Sequence, residues 1–464
     1  KRSIFKNNVF KYFHSQKERK IHVICSRKFG IDGIFMRQIE SDANKDDTLT
    51  FKDILRYTQI LKESSKLSEF NVEQLLIQSC EYCRKALPSR LAKSILTLNN
   101  LPYNVSKTES VVSTIEQYVA TYKLIKNIGK ITTINDERIF VNFTRKILQR
   151  HLLTIPKLSC GLIERVLNDD DEAFSIQHCP YLNEFLDNFA SIRLGTRMIL
   201  GHQMALHDDV YNKERIDGKI IINGLFEDNV DIIKWINQAI NDTNKKCIKV
   251  FGVCPNINII DQRKYTQNKF TYISEHMHHI LFELLKNSVR AVIEFGKYMD
   301  KSVDIIVCDN VDGNEISIKI SDKGGGIAKT DIKDIWLYSY TTAFDNTINN
   351  MENKNRKLIQ FEKLQKHKQL LSDLINKAEQ QFSYNDNDMS HDIELNDVTY
   401  DTVNKTILGA VTDAPMFGLG YGLPAVKVYT QYFGGKCNIY SLHGYGTDAY
   451  LFLKNLNAID HKIY

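Results

Sequence analysis

From about Thr48 to Asp231, apolar positions recur at three- and four-residue spacing; Leu75, Leu76, Tyr82, Cys83 and Leu87, with the small Ser79 among them, form one such stripe. That period predicts amphipathic helices rather than strands. Pro88, Pro102, Pro156 and Pro180 are expected to fall between helices, where a chain that lacks an N–H can start or stop. Long amphipathic helices with short breaks predict a helical bundle over residues 45–230. After about Lys246 the period changes. Cys247–Val253 (CIKVFGV) reads as a strand and Met277–Phe295 as a helix. Asp304–Cys308 and Glu315–Ser321 read as the strands of a hairpin. In the second, Ile316, Ile318 and Ile320 alternate with Ser317, Lys319 and Ser321, a period of two with one buried face. Asp312-Gly313 supplies the turn. Residues 231–464 are therefore expected to form an α/β sandwich, and the fold class is α+β.

Residues 346–405 interrupt this pattern with an Asn-, Lys- and Asp-rich insert. Its first part carries Leu358, Phe361, Leu364, Leu371, Leu374 and Ile375, which suit an amphipathic helix. From Tyr384 to Thr402 the acids Asp386, Asp388, Asp392, Glu394, Asp397 and Asp401 stand without Lys or Arg, the composition of a solvated loop.

With 464 residues, 43% hydrophobic and 25% charged, the chain can build more than one core. A net charge of +5 is small for this length and gives no reason to propose a nucleic-acid protein, which needs basic residues concentrated on one face, and no apolar run is long enough to suggest a membrane-spanning helix. The nine cysteines are scattered. Cys80-x-x-Cys83 has no second pair to complete a zinc site, so two half-buried free thiols on a helix are expected there. Residues 1–30 open with Lys1, Arg2, Lys6, Lys11 and Lys17, and no acid precedes Glu18. Phe5, Val9, Phe10 and Phe13 add apolar bulk at roughly helical spacing, the pattern of a mitochondrial transit segment; a flexible basic arm is the plainer reading.

Three clusters carry candidate chemistry. On a helix, His279, Glu283, Lys286, Asn287 and Arg290 share one face, opposite Ile280, Leu281, Leu284 and Leu285. One carboxylate, one amide and two cations suit metal and phosphate chemistry. Asp322-Lys323-Gly324-Gly325-Gly326 directly follows the alternating strand. Its glycines allow close backbone approach, and a strand-ending Asp can accept from an exocyclic amine; a plain turn is the alternative. Gly418-Leu419-Gly420-Tyr421-Gly422-Leu423-Pro424 precedes a helical pattern, and glycines opening a helix offer free N–H groups and a positive end to phosphate. The order is not that of a dinucleotide fold, and no Walker loop or common protein-kinase signature is present.

The ordered set, completed by Gly444-Tyr445-Gly446-Thr447-Asp448-Ala449-Tyr450, resembles the GHKL ATP-binding fold. More narrowly it is similar to the mitochondrial pyruvate dehydrogenase kinase and branched-chain α-keto acid dehydrogenase kinase family. The likeness continues upstream in Arg150-His151, Pro156, Gly161 and Glu164, in Phe185-Leu186-Asp187 with Arg193 and Arg197-Met198, and in Leu87-Pro88 with Arg90-Leu91-Ala92. The resemblance implies a four-helix bundle at 45–230 that docks the dehydrogenase complex, and an ATP-dependent protein-serine kinase domain at 231–464. It implies that Asn287 holds Mg²⁺ on the ATP phosphates, and that Glu283 is general base with His279 orienting it. Lys286 and Arg290 would balance phosphate charge, Asp322 would take the adenine amine, and Gly324 and Gly326 would line the nucleotide. Thr341 and Thr342 would begin the ATP lid. Gly418, Leu419, Gly420, Tyr421, Gly422 and Leu423 would wrap the phosphates, and Thr447 would complete the adenine pocket. The implied partners are the decarboxylase component, the lipoyl-bearing transacylase core and a second kinase chain in a homodimer or heterodimer, all in the mitochondrial matrix.

Other readings of these residues are weaker. His276, His278 and His279 cannot all converge on one metal from a helix. His202 and His207-Asp208 do not sit in a phospho-acceptor motif and read as core or surface residues. The sequence also departs from the family. The insert falls in the loop expected to close over nucleotide, and with Trp235 and Trp336 the only tryptophans, the C-terminal Asp-Trp motif of some pyruvate dehydrogenase kinases is missing. Pyruvate dehydrogenase is the favoured substrate complex as the commoner target. Arg193–Met198 and Ala205–Asp208 look somewhat more like the branched-chain enzymes. A catalytically silent scaffold, or a conformational ATPase of the chaperone type, is the reading from another class.

Overall fold

The computed structural model describes residues 33–45, 51–63, 69–168, 180–211, 222–265, 270–296, 301–338, 340 and 420–458, with separate positions between 364 and 379. The transit-like start and residues Tyr384 to Thr402 lie outside the described residues. The N-terminal half is helical: α1 Gly33–Ala43, α2 Phe51–Glu63, α3 Glu69–Asn99, α4 Glu109–Asn127, α5 Ile134–Arg150, α6 Thr154–Leu167 and α7 Pro180–Tyr211. Helix α3 packs against α1, α4, α5 and α7, and α4 against α6. Its Leu87, Leu91 and Ile95 share a core with Leu182, Leu186 and Phe189 of α7. Local signals set the boundaries. Thr133 and Asp136 form a reciprocal capping box at the start of α5, which satisfies two otherwise orphan N–H groups.

Two expectations are corrected in this half. Pro88 does not break a helix; it lies inside α3. Burial on several sides holds this helix together through the missing N–H. The nearby Ala86 carbonyl accepts from the Ser89 hydroxyl (3.3 Å) and the Arg90 guanidinium (3.0 Å). Cys80 and Cys83 are fully rather than half buried and are free thiols. Burial pushes the Cys83 thiol up to about 12, so it stays protonated.

The C-terminal half contains α8 Ile232–Phe251, β1 Ile257–Asp261, α9 Ser274–Glu294, β2 Val303–Asp309, β3 Glu315–Asp322, α10 Gly422–Tyr432, β4 Lys436–Leu442 and β5 Gly446–Lys454. Cys247–Val253 is thus not a strand. Its first five residues finish α8, whose buried Ile236, Ala239, Ile240, Thr243 and Cys247 keep a helical period, and Gly252 stops it at φ 75°. The five strands run in the order β1-β2-β3-β5-β4, with β1 and β2 parallel and the other pairs antiparallel. The β2–β3 hairpin turns at Gly313, φ 65°, as its Asp-Gly pair predicts.

Register places Val307, Ile318, Leu451 and Cys437 in one cross-strand row and Ile305, Ile320, Ala449 and Ile439 in the next. Helices α9 and α10 cover this face, and α8 packs on α9. Each fully buried isoleucine or leucine contributes roughly 1.5–3 kcal/mol. The same period of two carries Asp322 onto the covered face at the end of β3, opposite Thr447 of β5. The architecture is α+β, a helical half beside a mixed five-stranded sheet.

Candidate active site

Helix α9 is buried on nearly every side, so its polar groups are held in a largely dry setting. Glu283 is 5% exposed and Lys286 6%. The Lys286 ammonium donates to Glu283, 2.7 Å from each carboxylate oxygen. Burial alone would raise the Glu283 carboxyl. Lys286, His279 and Lys246 outweigh it and hold the group below the usual glutamate range, so it is ionised at neutral pH. His279 lies one turn earlier and packs its ring on Tyr429 of α10, centroids 5.2 Å apart. Burial keeps its imidazole neutral against the pull of Glu283. Asn287 follows Glu283 by one turn and is half-buried. Arg290 is engaged along the helix, its Nε donating to Glu294 at 2.7 Å.

The first and third clusters meet. Gly422 opens α10 directly against Glu283, and a methyl group at Gly422 would collide with the carboxylate. This glycine is required by close approach and not by backbone dihedral. Gly420 precedes it at φ 71°, a conformation that glycine adopts without cost. The positive end of α10 therefore meets the Glu283 carboxylate, which Lys286 also pairs.

The second cluster closes the other end of α9. Asp322 is buried, and its Oδ1 accepts from the N–H groups of Gly324 (2.9 Å) and Thr447 (3.3 Å). Burial raises its carboxyl, while Gly324, Ser288 and Thr447 pull the other way. A side chain on Gly324 would meet Ala291 of α9 at 2.5 Å, and one on Gly326, at φ 70°, would strike the Leu442 carbonyl. These glycines seat the loop on the helix and on the β4–β5 turn as much as they leave room for a ligand. Ser288 had no role in the sequence reading, although it sits beside Asn287 in the motif.

Thr341, Thr342, Gly418 and Leu419 lie outside the described residues. Tyr421 and Leu423 flank Gly422, and Tyr421 packs its ring on Tyr338 at 5.2 Å. Here the structure adds a group that sequence reasoning missed. Asp187 of α7 accepts from the Tyr338 hydroxyl (2.9 Å) and from Lys427 of α10 (2.8 Å), and Asn183 takes the Tyr338 N–H (2.9 Å). Asp187 was noted only as part of a family-like segment. Its charge amid apolar Phe185, Leu186 and Phe189 was the available signal.

The upstream motif residues hold helices together. Gly161 lets α6 approach α4, where an added methyl would meet Val111 at 2.6 Å and Thr108 at 2.7 Å. Glu164 accepts from the Ser110 hydroxyl (2.7 Å) and N–H (3.2 Å) at the start of α4. His151 is buried beside Tyr118, ring centroids 4.3 Å apart. His202 and His207 are core residues, paired with Thr58 and Glu137. Among the described residues no group of three or more His, Cys, Asp and Glu could hold a metal ion. No described helix is long and apolar enough to cross a membrane.

Comparison with known proteins gives the same direction. Residues 51–223 match the family model described as mitochondrial branched-chain alpha-ketoacid dehydrogenase kinase. The mitochondrial [pyruvate dehydrogenase (acetyl-transferring)] kinase of Arabidopsis thaliana is 27% identical over 409 residues, covering 87% of this chain and 90% of that protein. Human isozyme 4 is 25% identical over 409 residues, with 87% and 83% covered. The Schizosaccharomyces pombe kinase is 30% identical over 275 residues, 59% of this chain and 50% of that protein. The similarity to these kinases extends over the helical half and the sheet alike. Over most of its length the chain is similar to the mitochondrial pyruvate dehydrogenase kinases, and over residues 51–223 to the branched-chain α-keto acid dehydrogenase kinase family.

Proposed function

We propose that the chain is a protein-serine kinase that phosphorylates, and thereby switches off, the decarboxylase component of the pyruvate dehydrogenase complex in the mitochondrial matrix. One observation carries the reading: the Gly422 end of α10 abuts Glu283 on α9, beside Lys286 and Asn287. Phosphoryl transfer needs positioning and charge neutralisation more than covalent chemistry from the protein. A helix N-terminus, an ammonium and an ionised buried carboxylate fit that need.

Residues 231–464 are read as a GHKL-type sandwich. Asp322 and Thr447 receive the adenine, with Gly324 and Gly326 beside them. Gly418, Leu419, Gly420, Tyr421, Gly422 and Leu423 wrap the phosphates, and Thr341 and Thr342 begin the ATP lid. The donor set fits a hard cation weakly but suitably: the Asn287 amide oxygen with nucleotide phosphates is the way Mg²⁺ is usually held, with few protein ligands. Mg²⁺, when bound, supplies charge neutralisation on the phosphates. Glu283 accepts the proton of the substrate serine hydroxyl, and neutral His279 fixes its orientation. Lys286 holds the carboxylate ionised, and Arg290 adds positive charge once it exchanges Glu294 for phosphate. Residues 45–230 are read as a four-helix bundle that docks the lipoyl-bearing transacylase core, in a homodimer or a heterodimer with a related kinase.

A second reading takes the branched-chain decarboxylase as substrate, and the family model over residues 51–223 favours it. Transfer of labelled γ-phosphate from ATP to each purified decarboxylase component separates the two. Serine labelling of the pyruvate enzyme is expected, with a loss of roughly 10²–10⁴-fold in Glu283→Ala and a comparable loss in Asn287→Ala. Labelling of the branched-chain enzyme alone selects the second reading. ATP binding without transfer to either selects a scaffold.

A further inference from the structure

The described positions of the insert, between 364 and 379, lie along α6. Leu364, Leu371 and Ile375 recur at intervals of seven and four, and the described positions around them are helical. Leu371 and Ile375 are buried, 3% and 8% exposed, against Leu153, Cys160 and Ile163, with Leu364 packed on the same cluster. The flanking groups are matched as well. Glu379 pairs with Lys157 at 2.7 Å, Lys368 lies 3.9 Å from Glu164, and the Ser372 hydroxyl is 3.9 Å from the Cys160 thiol. Gln365, Lys366, Gln369, Asp373, Asn376 and Lys377 point to solvent. All inward positions fall on one helical face, and all face the stripe Leu153, Lys157, Cys160, Ile163 and Glu164 of α6 and the turn before it. Lys157 is itself buried, so its pairing with Glu379 is not an incidental surface contact.

The chain enters and leaves this region at two further ties to the helical half. Tyr338 is held by Asn183 and Asp187 before it, and Lys427 by Asp187 after it. Segment 364–379 therefore adds a third attachment between those two, on a different helix. We propose that it is an intramolecular docking helix whose seat on α6 couples the helical half to the Gly420–Gly422 end of the site, so that docking slows nucleotide release. The kinetic clause rests on the nucleotide-site reading above.

Native Cys160 allows a direct test in the full-length chain. Ser372→Cys places a second thiol beside it, and mild oxidation locks the segment. Leu371→Asp with Ile375→Asp undocks it, and Lys157→Glu weakens it by charge, to be restored by adding Glu379→Lys. The readout is dissociation of a fluorescent ADP analogue with Mg²⁺, followed by stopped flow. A several-fold slower release in the oxidised lock, reversed by reductant, and a several-fold faster release in the undocked and Lys157→Glu forms are expected, with the charge-exchanged double variant returning toward wild type. Equal release from locked and undocked chains overturns the coupling. Failure of Cys160 to form a disulfide with the thiol introduced by Ser372→Cys overturns the dock, whatever the nucleotide does. A wild-type chain that binds no analogue overturns the nucleotide-site reading and the kinetic clause with it, while the disulfide still reports the dock.

Discussion

At Glu283 a carboxylate is buried and kept ionised, and the reason is Lys286 rather than solvent. A base must be deprotonated to act, so activity should fall as pH drops through the Glu283 pKa. Lys286→Met removes the largest group holding that pKa down, so burial then dominates and the acidic limb of the kcat profile should move to higher pH. An unchanged limb in Lys286→Met would mean that another group titrates. Gly422→Ala is the complementary test of close approach. Its methyl meets Glu283, so both nucleotide affinity and kcat should drop, while a side chain at Gly420, two residues earlier, is strained for the different reason of positive φ. Melting temperature and nucleotide titration on the same sample distinguish a displaced carboxylate from a chain that fails to fold.

Helix contacts depend on two small features of the family-like motifs. Gly161 permits α6 to lie on α4, and Gly161→Ala should cost about 1–3 kcal/mol as overpacking, read as a lowered urea midpoint. Asp187 joins α7 to Tyr338 and α10. Asp187→Asn keeps the shape but removes the charge paired with Lys427, and because the carboxylate is 29% exposed the expected cost is only about 1 kcal/mol. A loss several times larger would show that Asp187 organises the junction between the halves. The motif residues Gly161 and Glu164 could be found in the sequence by spacing, but nothing there says that their work is to bring two helices together. The same holds for Pro88. Local propensity predicts a break, and burial on several sides of α3 overrides it.

Across the molecule, buried neutral histidines set the response to acid. Burial lowers His151, His202 and His276 to about 3 each, with nearby cations adding to the effect, from an unfolded value near 6.5. Folded-state values below the unfolded ones give stability that is present above about pH 6.5 and lost progressively toward about pH 3. At pH 5.5 the loss is about 1.4 kcal/mol for each histidine. Asp42 and Glu81, held at about 2 by their cation partners against the cost of burial, add to the loss only as pH falls below their unfolded values near 4 to 4.5. Urea midpoints measured from pH 7.5 to 5 should therefore fall over a range in which the acids are silent, and a flat profile would contradict the buried neutral histidines.

The alternating strand of Ile316, Ile318 and Ile320, the Asp-Gly turn, the helical period of the first half and the ordered glycine and Glu-Lys-Asn clusters are local patterns, so the sequence alone determined the α+β class and singled out the clusters proposed as the site. Contacts between distant segments are another matter. Only the tertiary structure decided that Gly422 lies on Glu283, that Arg290 turns to Glu294, that Asp187 links Tyr338 to Lys427, and that residues 364–379 rest on α6. A periodic pattern names the face an element buries; which partner covers that face depends on chain closure and on packing that no local spacing encodes.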